Sequence, residues 1–217
     1  MSIGIAVAIG DVVLMVADGR RSNAFSILTD QAEKIVDLND SLVVIEFGAV
    51  MASTNVVDEL RADSRLPVAG REFMDLLTRS IHSAGAFLVA AVIPDSTNLS
   101  RIKVGLLAGG VDADGAYIGG ALFGHGMSEP SRLLLRPNST PQFIVLGGET
   151  CGAQEYFERE IGRAYRASGT DRATLISMLK RAAKKTVRYA ATHDNTIGGR
   201  VQYRILQPEH PTQSGFL

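Results

Sequence analysis

The chain has no tryptophan, and only 6% of its residues are aromatic. Its core must therefore come from Val, Ile, Leu and Ala on closely packed backbones. A single cysteine, Cys151, excludes an internal disulfide, and no Cys/His cluster has zinc spacing. A reducing, cytoplasmic compartment is the expectation. Neither sign of charge is in excess: 22 Lys and Arg face 23 Asp and Glu, a formal net charge of -1. That balance excludes a basic nucleic-acid arm and any strong pull toward anionic membrane. Long hydrophobic runs are also missing. The longest beyond the start, Ala84 to Ile93, is about ten residues, against the roughly 20 that a membrane-spanning helix needs. The opening MSIGIAVAIGDVVLMVADGRR lacks a basic segment before its apolar stretch, and Asp11 interrupts that stretch, so it reads as mature structure rather than a signal peptide. G-x-S-x-G, G-x-x-x-x-G-K-[ST], H-E-x-x-H and a Rossmann glycine fingerprint are all absent. The four histidines, His82, His125, His193 and His210, are scattered and read as surface or capping residues.

What is present is a run of strand and helix signals. Ile3 to Ile9 and Val12 to Ala17, joined by Gly10-Asp11, predict a β-hairpin. Lys34 to Leu38 and Leu42 to Phe47, around Asn39-Asp40-Ser41, predict a second. Val50 to Leu60 and Glu72 to His82 have helical spacing. Phe87 to Ile93, Lys103 to Ala108, Ala116 to Gly119 and Gln142 to Leu146 read as strands. Asp112 and Asp114 fall in a hairpin turn; a calcium loop would need a later glutamate that is missing. Glu149 to Ala167 and Asp171 to His193 predict two helices, the second capped by Thr170 or Asp171, with Leu175, Ile176, Leu179, Ala182, Ala183, Val187 and Ala190 facing inward. Arg181, Lys184, Lys185 and Arg188 form its solvated face. Arg200 to Leu206 is a closing strand, followed by a polar tail over 208–217. Helices bunched between runs of antiparallel strands predict a single α+β domain over 1–217, with two antiparallel sheets stacked between helical layers.

The chemistry concentrates at the amino terminus. Removal of Met1 before the small Ser2 would leave a serine whose α-amine, with an ordinary pKa near 8, can serve as base for its own hydroxyl, directly or through a water. Beyond Ser2, an Asp follows at 16 residues (Asp18), an Arg at 18 (Arg20), a Lys at 32 (Lys34) and a Gly at 46 (Gly48). In VLMVADGRRS, QAEKIVDLND and SLVVIEFGAV, which carry these residues, the chain resembles the β-type subunits of the proteasome, in the N-terminal nucleophile (Ntn) hydrolase superfamily. LLAGGVDADGAYIGG and THDNTIGGRVQYRIL continue the likeness over nearly the whole chain. VLGGETCGAQEYFEREI is similar to the compact bacterial relatives, the ancestral (Anbu-type) and proteobacterial proteasome homologues.

The resemblance implies a four-layer αββα sandwich and a set of roles. Ser2 Oγ would attack the scissile carbonyl, Lys34 would lower the nucleophile's pKa, and Asp18 would hold Lys34 charged. The Gly48 N–H would donate to the oxyanion, and Asp194 would complete the polar shell around the terminus. Arg20 reads as structural. Arg21, Glu46 and Val50 would line the substrate pocket. Glu46 there predicts a preference for basic or polar side chains before the cleaved bond; the alternative is that it pairs with Arg20 or Arg21 and selects nothing. No cofactor or metal is implied. Peptides or unfolded proteins would be substrates, copies of the chain would assemble into a ring or stacked rings, and an ATP-dependent unfoldase could be a partner. Nucleic acid and membrane would not.

Three departures from the family pattern stand out. Gly147-Gly148-Glu149 occupies a G-S-G segment, and Ile197 replaces the serine before the Gly-Gly pair, so two hydroxyls that help hold the amine and its water are missing. The nucleophile is Ser rather than Thr, with no propeptide ending in Gly, so Met1 removal would suffice for maturation. These departures keep two alternatives open: a catalytically silent scaffold or assembly protein of the same fold, and an acyltransferase or ligase using the same Ser2 chemistry.

Overall fold

A computed structural model describes residues 2–22, 26–67, 69–91, 103–124, 127–138, 140–147, 151–168, 171–208 and 210–217. The fold is α+β, with four helices and three antiparallel sheets among the described residues. The first sheet has the order β10-β1-β2-β11-β12, from β1 (Gly4–Ile9), β2 (Val12–Ala17), β10 (Gln142–Leu146), β11 (Gln202–Gln207) and β12 (His210–Phe216). The second has the order β5-β6-β7-β8-β9, from β5 (Ile35–Asn39), β6 (Leu42–Gly48), β7 (Lys103–Asp112), β8 (Gly115–Gly124) and β9 (Ser131–Leu135). A short pair, β3 (Arg21–Ser22) and β4 (Ile27–Thr29), stands apart. The helices are α1 (Val50–Ala62), α2 (Gly70–Ala91), α3 (Ala153–Ser168) and α4 (Arg172–His193).

Period-two alternation explains why β1 and β2 are apolar throughout. Ile5, Val7, Val12, Leu14 and Val16 pack with Phe157, Ile161, Leu179, Ala183 and Val187 of α3 and α4. The alternate residues Ala6, Ala8, Val13, Met15 and Ala17 pack with Ile35, Val43, Ile45, Phe47, Leu107 and Ile118 of the second sheet. Small side chains on that face let the two sheets approach. A third cluster joins Leu42, Val44, Leu106 and Tyr117 of the second sheet to Val56, Leu60, Phe73, Leu77 and Ile81 of α1 and α2.

Both expected hairpins form, the second with a register shift between Asp37 and Asn39, and Asp171 caps α4 by accepting the Ala173 and Thr174 N–H groups. Thr170 lies outside the described residues, as do Met1, His125, Gly148 and Glu149. The 112–115 turn is a hairpin: Asp112 pairs with Gly115, and its carboxylate takes the Arg136 guanidinium and the Gly70 N–H.

Two expectations need correction. The run from Phe87 is no strand: it continues α2 through Ala91, and residues 92 and 93 lie outside the described set. Ala84, Leu88 and Val89 reach the core at helical spacing while Phe87 stays exposed, so a short apolar run of ambiguous period was decided by packing. The residues after 208 are no loose tail either. His210–Phe216 adds an edge strand to β11, held by backbone bonds that its polar side chains do not advertise. Among the described residues, no helix is long and apolar enough to cross a membrane.

Candidate active site

Two hairpins deliver the candidate residues to one place. Gly4 pairs with Ala17 in the first hairpin, and continuing that register sets Ile3 opposite Asp18. The Ile3 N–H donates to Asp18 Oδ1 at 3.0 Å and the Asp18 N–H donates to the Ile3 carbonyl at 3.2 Å. Ser2 is thereby fixed at the end of the hairpin, and its spacing from Asp18 is the hairpin's own length. In the second hairpin Ile35 pairs with Ile45, and the Glu46 N–H donates to the Lys34 carbonyl at 3.1 Å. Lys34 and Gly48 thus flank the same end of the second sheet.

The Lys34 ammonium bridges the two hairpins. It donates to Asp18 Oδ1 at 2.7 Å and to Ser2 Oγ at 2.9 Å. Asp18 is fully buried, and its carboxylate also accepts the Gly198 N–H at 3.1 Å and the Arg20 N–H at 3.3 Å. Together with the Ile3 N–H and the Lys34 ammonium, these donors satisfy a charge that would otherwise be prohibitive to bury. Burial pushes the Lys34 ammonium below the ordinary lysine range, against the opposing pull of Asp18. The Lys34 backbone is held by Gln202, whose Oε1 accepts the Lys34 N–H at 3.3 Å and whose Nε2 donates to the Ala32 carbonyl.

Ser2, Arg21, Lys34, Glu46, Gly48 and Val50 all line one cleft of about 390 Å³ counting its open mouth, with Arg20, Ser22, Phe47 and Ser53. Gly48 has φ +80°, and a Cβ there would lie 2.0 Å from the Lys103 carbonyl oxygen, so only glycine fits the turn from β6 into α1. The following helix has Ala49 as its N-cap with no side-chain bond to the first-turn N–H groups, leaving the positive end of its dipole open beside the cleft. Gly147, at φ +83°, approaches from the other side: a Cβ there would lie 1.8 Å from the Ser2 carbonyl oxygen.

Glu46 is buried on the face of β6 that turns to α1. Its Oε2 accepts from Arg21 at 3.4 Å and from the Thr54 hydroxyl at 3.3 Å. Burial raises its pKa above the ordinary carboxylate range, with the Arg21 guanidinium and the Thr54 hydroxyl opposing. The partner expected among Arg20 and Arg21 is Arg21, and the carboxylate still borders the cleft.

Arg20 has a structural setting. Its guanidinium meets Asp30 at 2.6 Å and reaches the carbonyls of Asn195 and Ile197, tying the loop after α4 to the hairpin end. Asp194 is not among the residues lining the cleft. It is the C-cap of α4, and its Oδ1 accepts from the Thr196 N–H and hydroxyl at 2.8 and 2.6 Å. Its link to the site runs through the backbone, since its carbonyl takes the Ile197 N–H just before Gly198 reaches Asp18.

Three residues at this site escape sequence reasoning. Thr54 and Ser53 sit one helical turn into α1, where nothing local marks them. Gln202 opens a strand, QYRILQ, that also carries Arg204 and Gln207, so nothing local marks it as the buried polar residue it is. Among the described residues, no group of three or more His, Cys, Asp or Glu side chains is placed to hold a metal ion. No protein-family model matches the chain, and a search of curated proteins finds no match.

Proposed function

We propose that the chain is an N-terminal serine hydrolase of proteasome β type, with the αββα layering of the Ntn hydrolases, cleaving peptide or amide bonds after Met1 is removed. One observation carries this reading: the buried Lys34 ammonium, fixed by Asp18, donates to Ser2 Oγ at 2.9 Å at the floor of an open cleft. The freed Ser2 amine takes the hydroxyl proton as Oγ bonds to the scissile carbonyl carbon. The Lys34 ammonium stabilises the developing negative charge on Oγ. The Gly48 N–H, at the open end of α1, donates to the oxyanion, where one such donor is worth roughly 3 kcal/mol. The C–N bond breaks with the proton returned to the leaving amine, and water then hydrolyses the seryl ester by the same route. The three packed clusters, helices on sheet, sheet on sheet and sheet on helices, support the layering. Assembly of copies into a ring or stacked rings belongs to the same proposal.

Ile197 favours a second reading. It is fully buried against the α3 and α4 side, so no hydroxyl stands there to hold the amine's water. A silent scaffold of the same fold would have this feature too. Intact mass and turnover separate the two readings. The hydrolase has lost Met1 and cleaves fluorogenic peptides, and Ser2→Ala abolishes cleavage. A retained Met1, or an unchanged rate in Ser2→Ala, would refute the nucleophile.

A further inference from the structure

Backbone partners hold only half of the segment that carries Lys34: the Ala32 N–H donates to the Gly19 carbonyl at 2.8 Å, and the Lys34 carbonyl accepts the Glu46 N–H at 3.1 Å. Residues 31–34 belong to no strand, yet Ala32 and Lys34 are buried, so their peptide groups need hydrogen bonds from elsewhere. The Gln202 side chain supplies the remaining two: Oε1 accepts the Lys34 N–H, and Nε2 donates to the Ala32 carbonyl. A primary amide offers the donor and the acceptor of a peptide group, so this side chain substitutes for a neighbouring strand. Gln202 is only 3% exposed. Its backbone, meanwhile, pairs with Ala17 of β2, the residue before Asp18. One residue is therefore tied by its main chain to the Asp18 strand and by its side chain to the Lys34 segment.

We propose that Gln202 is a positioning residue for the candidate nucleophile: its amide sets the Lys34 backbone so that the ammonium reaches Asp18 and Ser2 Oγ together. The proposal rests on the hydrolase reading for its effect on turnover, but the placement of Lys34 is measurable without turnover. Gln202→Met keeps length and volume while removing both bonds. Gln202→Glu keeps the acceptor and regains a donor only when the carboxyl is protonated.

Both variants are measured on fluorogenic peptides, with the Lys34 side-chain titration followed by ¹³C NMR and exchange of the Lys34 amide followed by mass spectrometry. For folded Gln202→Met, kcat falls about 10- to 100-fold with KM within about 3-fold, as expected when a catalytic group is displaced by a fraction of an ångström to an ångström. The Lys34 titration shifts, and its amide exchanges faster. For Gln202→Glu the deficit relative to wild type narrows as pH falls through the new carboxyl's titration, which a loss of stability alone would not produce in the folded fraction. A folded Gln202→Met with wild-type kcat, Lys34 titration and amide exchange overturns the proposal. Should that variant not fold, a constant ratio of Gln202→Glu to wild-type kcat across pH overturns it instead. If wild type cleaves nothing, a shifted Lys34 titration upholds the clamp while the hydrolase reading fails; an unshifted one removes both.

Discussion

The Asp18 carboxylate and the Lys34 ammonium meet at 2.7 Å with side-chain exposures of 0% and 3%. Removing one member of such a buried pair strands the other. Asp18→Ala is expected to cost about 3–5 kcal/mol of unfolding free energy, and Lys34→Met less, about 3, because Asp18 keeps three backbone N–H donors. The double variant Asp18→Ala/Lys34→Met loses less than the sum of its singles by about 2 kcal/mol. Denaturant unfolding of the four proteins checks this. Purely additive losses would mean that the two charges are not coupled.

The Lys34 pKa also fixes a sign. Burial holds it below its unfolded value near 10.5, so the folded state binds that proton less tightly than the unfolded chain does. The destabilisation is therefore complete at pH below the folded pKa and fades as pH rises from there to 10.5. The stability difference between wild type and Lys34→Met is expected to move in favour of wild type over that alkaline window, and to stay flat at lower pH.

Gly147 and Gly115 both have positive φ, +83° and +100°. A Cβ at Gly115 meets nothing within 4 Å, whereas one at Gly147 collides with the Ser2 carbonyl. Gly115→Ala should show backbone strain alone, about 1 kcal/mol. Gly147→Ala should lose clearly more stability and, by displacing Ser2, reduce turnover about 100-fold. Equal effects at both sites would show that the Gly147 segment does not bear on Ser2.

Glu46 tests the cleft's selectivity. Substrates with Lys or Arg before the cleaved bond should be preferred, and Glu46→Gln should reduce that preference about tenfold in kcat/KM relative to apolar substrates. Cleavage only after large apolar residues would leave Glu46 as a partner of Arg21 with no selective role. Its raised pKa carries a stability signature as well. The folded state binds the Glu46 proton more tightly, so this contribution is full below about pH 4.5 and is lost as pH rises through the folded pKa. Glu46→Gln flattens that part of the pH–stability curve.

The candidate residues were singled out by the resemblance of their spacing to the proteasome β-type pattern, and the two hairpins were legible from their apolar runs and the turns at Gly10-Asp11 and Asn39-Asp40-Ser41. The hairpins account for the separations of Ser2 from Asp18 and of Lys34 from Gly48. The Asp171 cap was legible for the same local reason. What stayed hidden depends on distant partners. The end of α2 around Phe87 has no period that excludes a strand, and β12 is polar because an edge strand needs only backbone pairing. The roles of Gln202 and Thr54 arise from contacts with residues 168 and 8 positions away, which no local pattern encodes.

The central claim is that Ser2 Oγ is the nucleophile, and acyl-enzyme trapping tests it most directly. The protein would be incubated with a β-lactone that acylates serine, and intact mass and peptide mapping would be compared between wild type and Ser2→Ala. The account predicts a chain lacking Met1 that carries one acyl group, mapped to Ser2 and absent from Ser2→Ala. A wild-type chain that is not acylated at Ser2, or an adduct that persists in Ser2→Ala, would contradict it.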